Sequence, residues 1–414
     1  MRVPFERGSG LAGSLRDLPR NINVSTVSYS ILTFLFSITG PIAVVLASAH
    51  QGGLTQAETA SWIFGMHLIP GCLTTLFVSL YYRQPLLVVV SLPGMALVGS
   101  ALTRYSINEM VGVFLVTGLV VVVLGVTGAA KRFLTFLPLP IVMGMVSGVM
   151  LSFGLGIFQP LSGDLLLPLS MIAFFFAYSS RNRLSSLFPP VLGVFILGMM
   201  IAGVRGQIHW GQVTFTWTAP LWMRPEFSLA SLLEMVIPLA VTVVAIQSGQ
   251  GFAILRSLGY EPPMNTMFTL AGVGSLLIAP MGCLTASPAG PVVGMFAHDQ
   301  NGPKDGRYAS SVLVALMFLG VALFAQTVSS FAASVPATVI VVTGGLALLP
   351  MILQSFQETF RPTSFRMGGL IAFLVTVSGV SVLGLSSAFW GLVFGIAASF
   401  FLERDDFASQ RSDG

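Results

Sequence analysis

The chain has 414 residues, 54% of them hydrophobic and 8% charged, with a formal net charge of +4 and a mean hydropathy of +0.88. Soluble domains carry roughly 25% charged residues, so this composition excludes them and describes an all-α polytopic membrane protein. A transmembrane β-barrel is excluded too: residues 32–47 and 114–125 run on apolar where a barrel strand would alternate.

Residues 1–23 form a charged, polar lead without the short apolar core of a signal peptide, and are expected on the cytoplasmic side. A span needs about 20 apolar residues, fewer where it is broken or tilted. Spans are predicted at 24–48, 58–81, 86–103, 108–129, 135–158, 165–180 and 186–204. After an outer connection at 205–227, which holds Trp210, Trp217 and Trp222, they resume at 228–254, 264–279, 281–297, 308–330, 334–356, 367–384 and 386–402. A polar tail, 403–414, follows and is expected to be cytoplasmic.

The distribution of cations sets the orientation. With the N-terminus inside, Arg2, Arg7, Arg16, Arg20, Arg83, Lys131, Arg132, Arg181, Arg183, Arg256, Lys304, Arg307, Arg361, Arg366, Arg404 and Arg411 fall on the cytoplasmic side. Only Arg104, Arg205 and Arg224 fall outside, the asymmetry that bacterial inner-membrane proteins follow. Each half has an odd number of spans, so the halves enter the membrane in opposite senses, as an inverted repeat.

A doubled motif supports that symmetry. The pattern Pro-x7-Pro-x5-Gly occurs at Pro85, Pro93 and Gly99 in the third span, and again at Pro280, Pro288 and Gly294 in the tenth. Proline and glycine at membrane depth interrupt the helix, and the freed backbone groups are tolerated only inside protein or beside a polar cavity. Paired broken spans in matching positions point to a transporter's binding site. Half-helices are expected to start at Pro93-Gly94 and at Pro288-Ala289-Gly290. Their N-termini would face each other and favour an anionic or strongly polar small molecule. Ser91, Leu92, Pro93, Gly94 and Met95 would line the site from one side, and Thr285, Ala286, Ser287, Pro288 and Ala289 from the other. Kinks filled by neighbouring helices are the plain alternative.

Other polar residues at depth are few. Small-residue breaks are expected in the first span, at Ser37, Thr39, Gly40 and Pro41, and in the eighth, at Gln247 to Gly251. Gln247 and Gln250 are neutral amides suited to a ligand, or equally to bonds between helices, and Ser37 and Thr39 are weaker candidates for the same site. Glu234 is the one carboxylate inside a span, and with His67 it is a candidate for carrying a proton; His298 lies at the end of the tenth span. Cys72 and Cys283 sit in apolar segments as packing residues. No phosphate-binding loop, metal-ligand cluster, carboxylate pair or nucleophile–base set occurs. No cofactor, metal, nucleic acid or enzymatic chemistry is therefore expected.

Residues 82–102 (YRQPLLVVVSLPGMALVGSAL), 106–118 (SINEMVGVFLVTG) and 371–395, with Ser387-Ala-Phe-Trp-Gly391, resemble the benzoate transporter family of benzoate–proton symporters. The likeness runs from about residue 20 to 402. It implies the seven-plus-seven inverted-repeat fold of nucleobase–ascorbate and sulfate-type anion transporters. Core parts would be 24–129 and 228–330, and gate parts 135–204 and 334–402. Substrate would sit between core and gate, against spans one, three, eight and ten. The acidic site residues of the nucleobase relatives are replaced here near Gln247 and Ser287, which argues against a nucleobase. The expected activity is import of benzoate or a similar small organic anion with a proton, across a bacterial inner membrane. An anion exchanger or uniporter of the same fold is the alternative, and pairing through gate parts as a homodimer is a further implication.

Overall fold

The computed structural model describes residues 5–130, 138–180, 188–290, 292–297, 301–382 and 385–407, with all their side chains except those of 245–247 and 250. Arg2, Lys131, Arg132, Arg181, Arg183, His298 and Arg411 lie outside the described residues. So do the side chains of Gln247 and Gln250.

Helix α1 (Leu11–Asn21) precedes α2 (Val24–Gln51) and the long α3 (Gln56–Tyr82). A three-residue strand β1 (Val88–Val90) leads into α4 (Leu92–Ala101). Then come α5 (Ile107–Thr127), α6 (Leu139–Gly156), α7 (Leu166–Ser179) and α8 (Pro190–Val204). The second half opens with α9 (Leu229–Val241), which passes through a wide π turn at Thr242–Gln247 into α10 (Ser248–Ser257). It continues with α11 (Met264–Ile278), strand β2 (Ala286–Pro288) and α12 (Val293–Phe296). Helices α13 (Tyr308–Leu323), α14 (Ala325–Ala333), α15 (Ala337–Phe360), α16 (Arg366–Val377) and α17 (Ser387–Leu402) complete it. Among the described residues, seven helices are long and apolar enough to cross a membrane: α2, α3, α5, α6, α11, α13 and α15. Six shorter apolar helices accompany them, including α4, α16 and α17.

Two features of the expected breaks differ. Helix α2 runs unbroken through Ser37–Pro41, although Pro41 has no N–H to donate to the Ser37 carbonyl one turn back. The stretch Ser248–Gly251 is α-helical as well, and the irregularity is the π segment that ends at Gln247. A matching π segment at His67–Thr74 interrupts α3 around Pro70.

The two halves meet at the strands. Strands β1 and β2 pair antiparallel, with Val88 opposite Pro288, Val89 opposite Ser287 and Val90 opposite Ala286. The Ala289 N–H extends the ladder to the Leu87 carbonyl at 2.8 Å. Backbone freed by the broken segments is thus satisfied across the halves, as a water-free interior demands. Around this pair, α5 packs directly on α11 because Gly118, Gly125 and Gly272 let the backbones touch. A Cβ on Gly272 would lie 2.5 Å from the Val122 nitrogen. Helix α6 packs on α15 and α16, and α16 on α17.

Candidate functional site

Each strand is held by a hydroxyl from a neighbouring helix. Thr75, just past the π segment of α3, accepts the Val88 N–H at 2.9 Å and donates to the Pro70 carbonyl at 3.0 Å. Ser275 of α11 accepts the Ala286 N–H at 2.8 Å and donates to the Ala271 carbonyl at 2.7 Å. The first-half helix starts as the motif predicts: Ser91 is the N-cap of α4, accepting the Gly94 N–H at 3.2 Å, with Pro93 in the first turn.

The second half does not follow. Pro288 ends a strand instead of starting a helix, and α12 has only four residues from Val293. Pairing with Val88 holds Pro288 extended, so the expected pair of opposed half-helix N-termini reduces to one, that of α4. Its first turn also has few donors to spare: Pro93 has none, and the Gly94 N–H is taken by Ser91.

Beside the strands lies a cavity of about 400 Å³. Its floor is Leu87, Val89, Val90, Leu92, Ala289 and Gly290; one wall is Phe36, Ser37, Gly40 and Pro41 of α2. Met66, His67 and Gly71 of α3, Phe318 of α13, and Pro350, Met351 and Gln354 of α15 close it. Among the described residues the lining is mostly apolar, with three polar side chains placed around it, the composition of a small-molecule site.

His67 is 2% exposed and its ring meets Phe318 edge-on at 5.1 Å. Its Nδ1 lies 2.8 Å from the Ile63 carbonyl, which only accepts, so Nδ1 carries the hydrogen. The other nitrogen, Nε2, is therefore an acceptor when the ring is neutral and a donor when it is charged. The Ser37 hydroxyl is buried without a hydrogen-bond partner among the described residues. Gln354 brings an amide from α15, on the opposite wall.

The structure brings Ser37, His67, Leu92 and Ala289 together around this cavity. Ser91, Pro93, Gly94, Met95, Thr285, Ala286, Ser287 and Pro288 are buried behind it; Met95 is wholly enclosed in the core. Thr39 is not part of the cavity. Two residues along a helix point some 200° apart, and Thr39 faces a separate apolar hollow with Val191, Phe195 and Phe331. Glu234 is also elsewhere, in a second cavity with Arg104 and Ser386. Phe36, Phe318, Pro350, Met351 and Gln354 were not singled out in the sequence. Gln354 had a usable signal, an amide one turn past Pro350 in an apolar segment; the phenylalanines are indistinguishable from lipid-facing ones.

A family model described as "Benzoate membrane transport protein" matches residues 20–401. A protein of that same description from Acinetobacter baylyi is 30% identical over 392 residues, 94% of this chain and 98% of the relative. Inner membrane protein YdcO of Escherichia coli is 30% identical over 371 residues, 89% of this chain and 94% of the relative. Among solved structures, SLC26A9 superposes with a TM-score of 0.64 at 14% identity, covering 95% of this chain and 67% of that one. The transmembrane domain of the cyanobacterial bicarbonate transporter BicA gives 0.57 at 15% identity, covering 91% and 98%. These structures share the fold, and both they and the family are membrane transporters, so the chain is not an enzyme. By sequence along nearly its whole length, the chain belongs to the benzoate membrane transport protein family.

Proposed function

We propose that the protein imports benzoate or a close aromatic carboxylate together with a proton, across a bacterial inner membrane, by alternating access. The observation that carries this reading is the apolar cavity against the strand pair, with His67, Ser37 and Gln354 as the polar groups among its described residues. In this reading the benzene ring lies among Phe36, Phe318, Val89 and Met351, and the carboxyl group faces the polar side chains. The α4 N-terminus behind Leu92 contributes its positive end to the same place.

His67 carries the proton in this scheme. Charged, it donates Nε2–H to a carboxylate; neutral, it releases the ligand or accepts from the acid form. The fourteen segments read from the sequence form a seven-plus-seven inverted repeat with both termini cytoplasmic. The antiparallel strands drawn from equivalent segments, each pinned by one hydroxyl, support that symmetry. The parts bearing α2–α5 and α9–α14 act as the core, those bearing α6–α8 and α15–α17 as the gate. The cavity lies where α15 faces the strands, so relative movement of the two parts would open it to alternate sides.

The test is uptake of labelled benzoate into proteoliposomes with and without an imposed pH gradient, beside thermal shifts with aromatic acids, nucleobases and inorganic anions. Benzoate should raise the melting temperature and accumulate with the gradient. Uptake indifferent to the gradient would instead establish uncoupled exchange or uniport. A protein stabilised only by inorganic anions or nucleobases would overturn the benzoate assignment.

A further inference from the structure

The second cavity, about 340 Å³, lies at the far end of α4 from the first. Ten helical residues place the two ends about 15 Å apart. Its wall includes Gln51, Ser100, Thr103, Arg104, Glu234 and Ser386. The Glu234 side chain is 4% exposed. It accepts from the Tyr105 hydroxyl at 2.7 Å and from the Ser386 N–H at 2.9 Å, and lies 3.7 Å from the Arg104 guanidinium.

These partners come from three places: Glu234 from α9, Arg104 and Tyr105 from the turn after α4, and Ser386 from the N-cap of α17. One carboxylate therefore ties α9 and α4 to α17, at the α6–α17 wall of the cavity. The same set of a phenol, a helix-cap N–H and a guanidinium is a receptor for carboxylates in general. Here it is filled by a side chain of the protein itself. Burial, then the Glu234 carboxylate beside it, hold the Tyr105 phenol well above its ordinary value, so this hydroxyl stays a donor.

We propose that the second cavity is a docking site for an organic carboxylate at the mouth of the transporter, and that Glu234 is its resident occupant and latch. An arriving carboxylate takes the Arg104 guanidinium, Glu234 gives up Ser386, and α17 separates from α9. The latch stands on the geometry alone; the chemical class of the arriving ligand rests on the proposed function above.

The test uses Ala101→Cys, on the α4 wall of this cavity and 5% exposed as alanine. Its modification by a neutral maleimide is followed in purified full-length protein, with the parent protein, whose Cys72 and Cys283 are buried, as the background control. Glu234→Gln should accelerate modification about ten-fold by weakening charge-assisted bonds, with Tyr105→Phe as a milder second variant. Equal rates in all three proteins would overturn the latch. Benzoate should accelerate modification in the Ala101→Cys protein, benzamide should not, and Arg104→Gln should remove the benzoate effect. Acceleration by benzamide, or persistence of the benzoate effect in Arg104→Gln, would overturn the carboxylate site. Benzoate uptake with unchanged modification rates sinks only the latch, whereas faster modification without uptake sinks only the transport reading.

Discussion

The Thr75 hydroxyl accepts the N–H of Val88 at 2.9 Å, fastening the first strand to α3 just below its π segment. Ser275 does the same for Ala286 from α11. Thr75→Val keeps the shape and orphans a buried N–H, which costs about 1–3 kcal/mol. Thr75→Val and Ser275→Ala should each lower the apparent melting temperature in detergent and reduce uptake. Unchanged melting temperatures would show that the strand pair holds itself in place.

His67→Gln supplies a polar group near the position of Nε2 that never titrates. Benzoate should still raise the melting temperature of this variant, while accumulation driven by a pH gradient falls about ten-fold or more. A preserved gradient response would place the proton on another group.

Gly40 lines the first cavity, and a Cβ there meets nothing within 4 Å. Gly40→Leu should therefore fill the cavity and abolish uptake while the melting temperature holds or rises, leucine being the better helix former. Gly272→Leu is the contrast. Its Cβ would sit 2.5 Å from the Val122 nitrogen, so the α5–α11 crossing must open, at about 1–3 kcal/mol or more. Melting curves beside uptake separate the two effects.

Glu403 joins the ends of α16 and α17. Its carboxylate accepts from the Met367 and Gly368 N–H groups at 2.7 and 3.0 Å and from the Ser399 hydroxyl at 2.6 Å. Burial pushes its pKa up, but these donors outweigh burial and the net position is below the ordinary carboxylate value. A carboxyl group with a depressed folded pKa stabilises above its unfolded pKa, and that contribution is lost as pH falls through the folded pKa. Glu403→Gln should therefore melt below the parent protein at neutral pH, and the gap should close as the medium becomes acidic. A gap independent of pH would mean that the carboxylate charge contributes nothing there.

The doubled proline–glycine pattern was legible: its two copies run through the paired strands, whose ends at Val89, Val90 and Ala289 line the first cavity. Its internal register was not. Strand β1 begins three residues past Pro85, whereas β2 begins six past Pro280. Three-residue strands have no periodicity to read, and their position is set by each other and by hydroxyls on helices far away in sequence. Ser37 and His67 were found because polar groups are costly at depth. Phe36 and Phe318 were not, because an apolar side chain facing a cavity and one facing lipid have the same composition. Glu234 was conspicuous as a lone carboxylate, but only coordinates link it to Tyr105 and Ser386.

The π turn at His67–Thr74 fits one more residue into its coil than an α-helix would. Everything beyond it is consequently rotated by roughly 100° relative to an uninterrupted rod. That phase offset is what lets one continuous rod turn an imidazole toward the first cavity and, about two turns later, a hydroxyl toward the strand beneath. Deleting one apolar residue of the stretch, such as Leu68, would leave His67 and Thr75 in the protein and swing the lower half of the rod away from the strand.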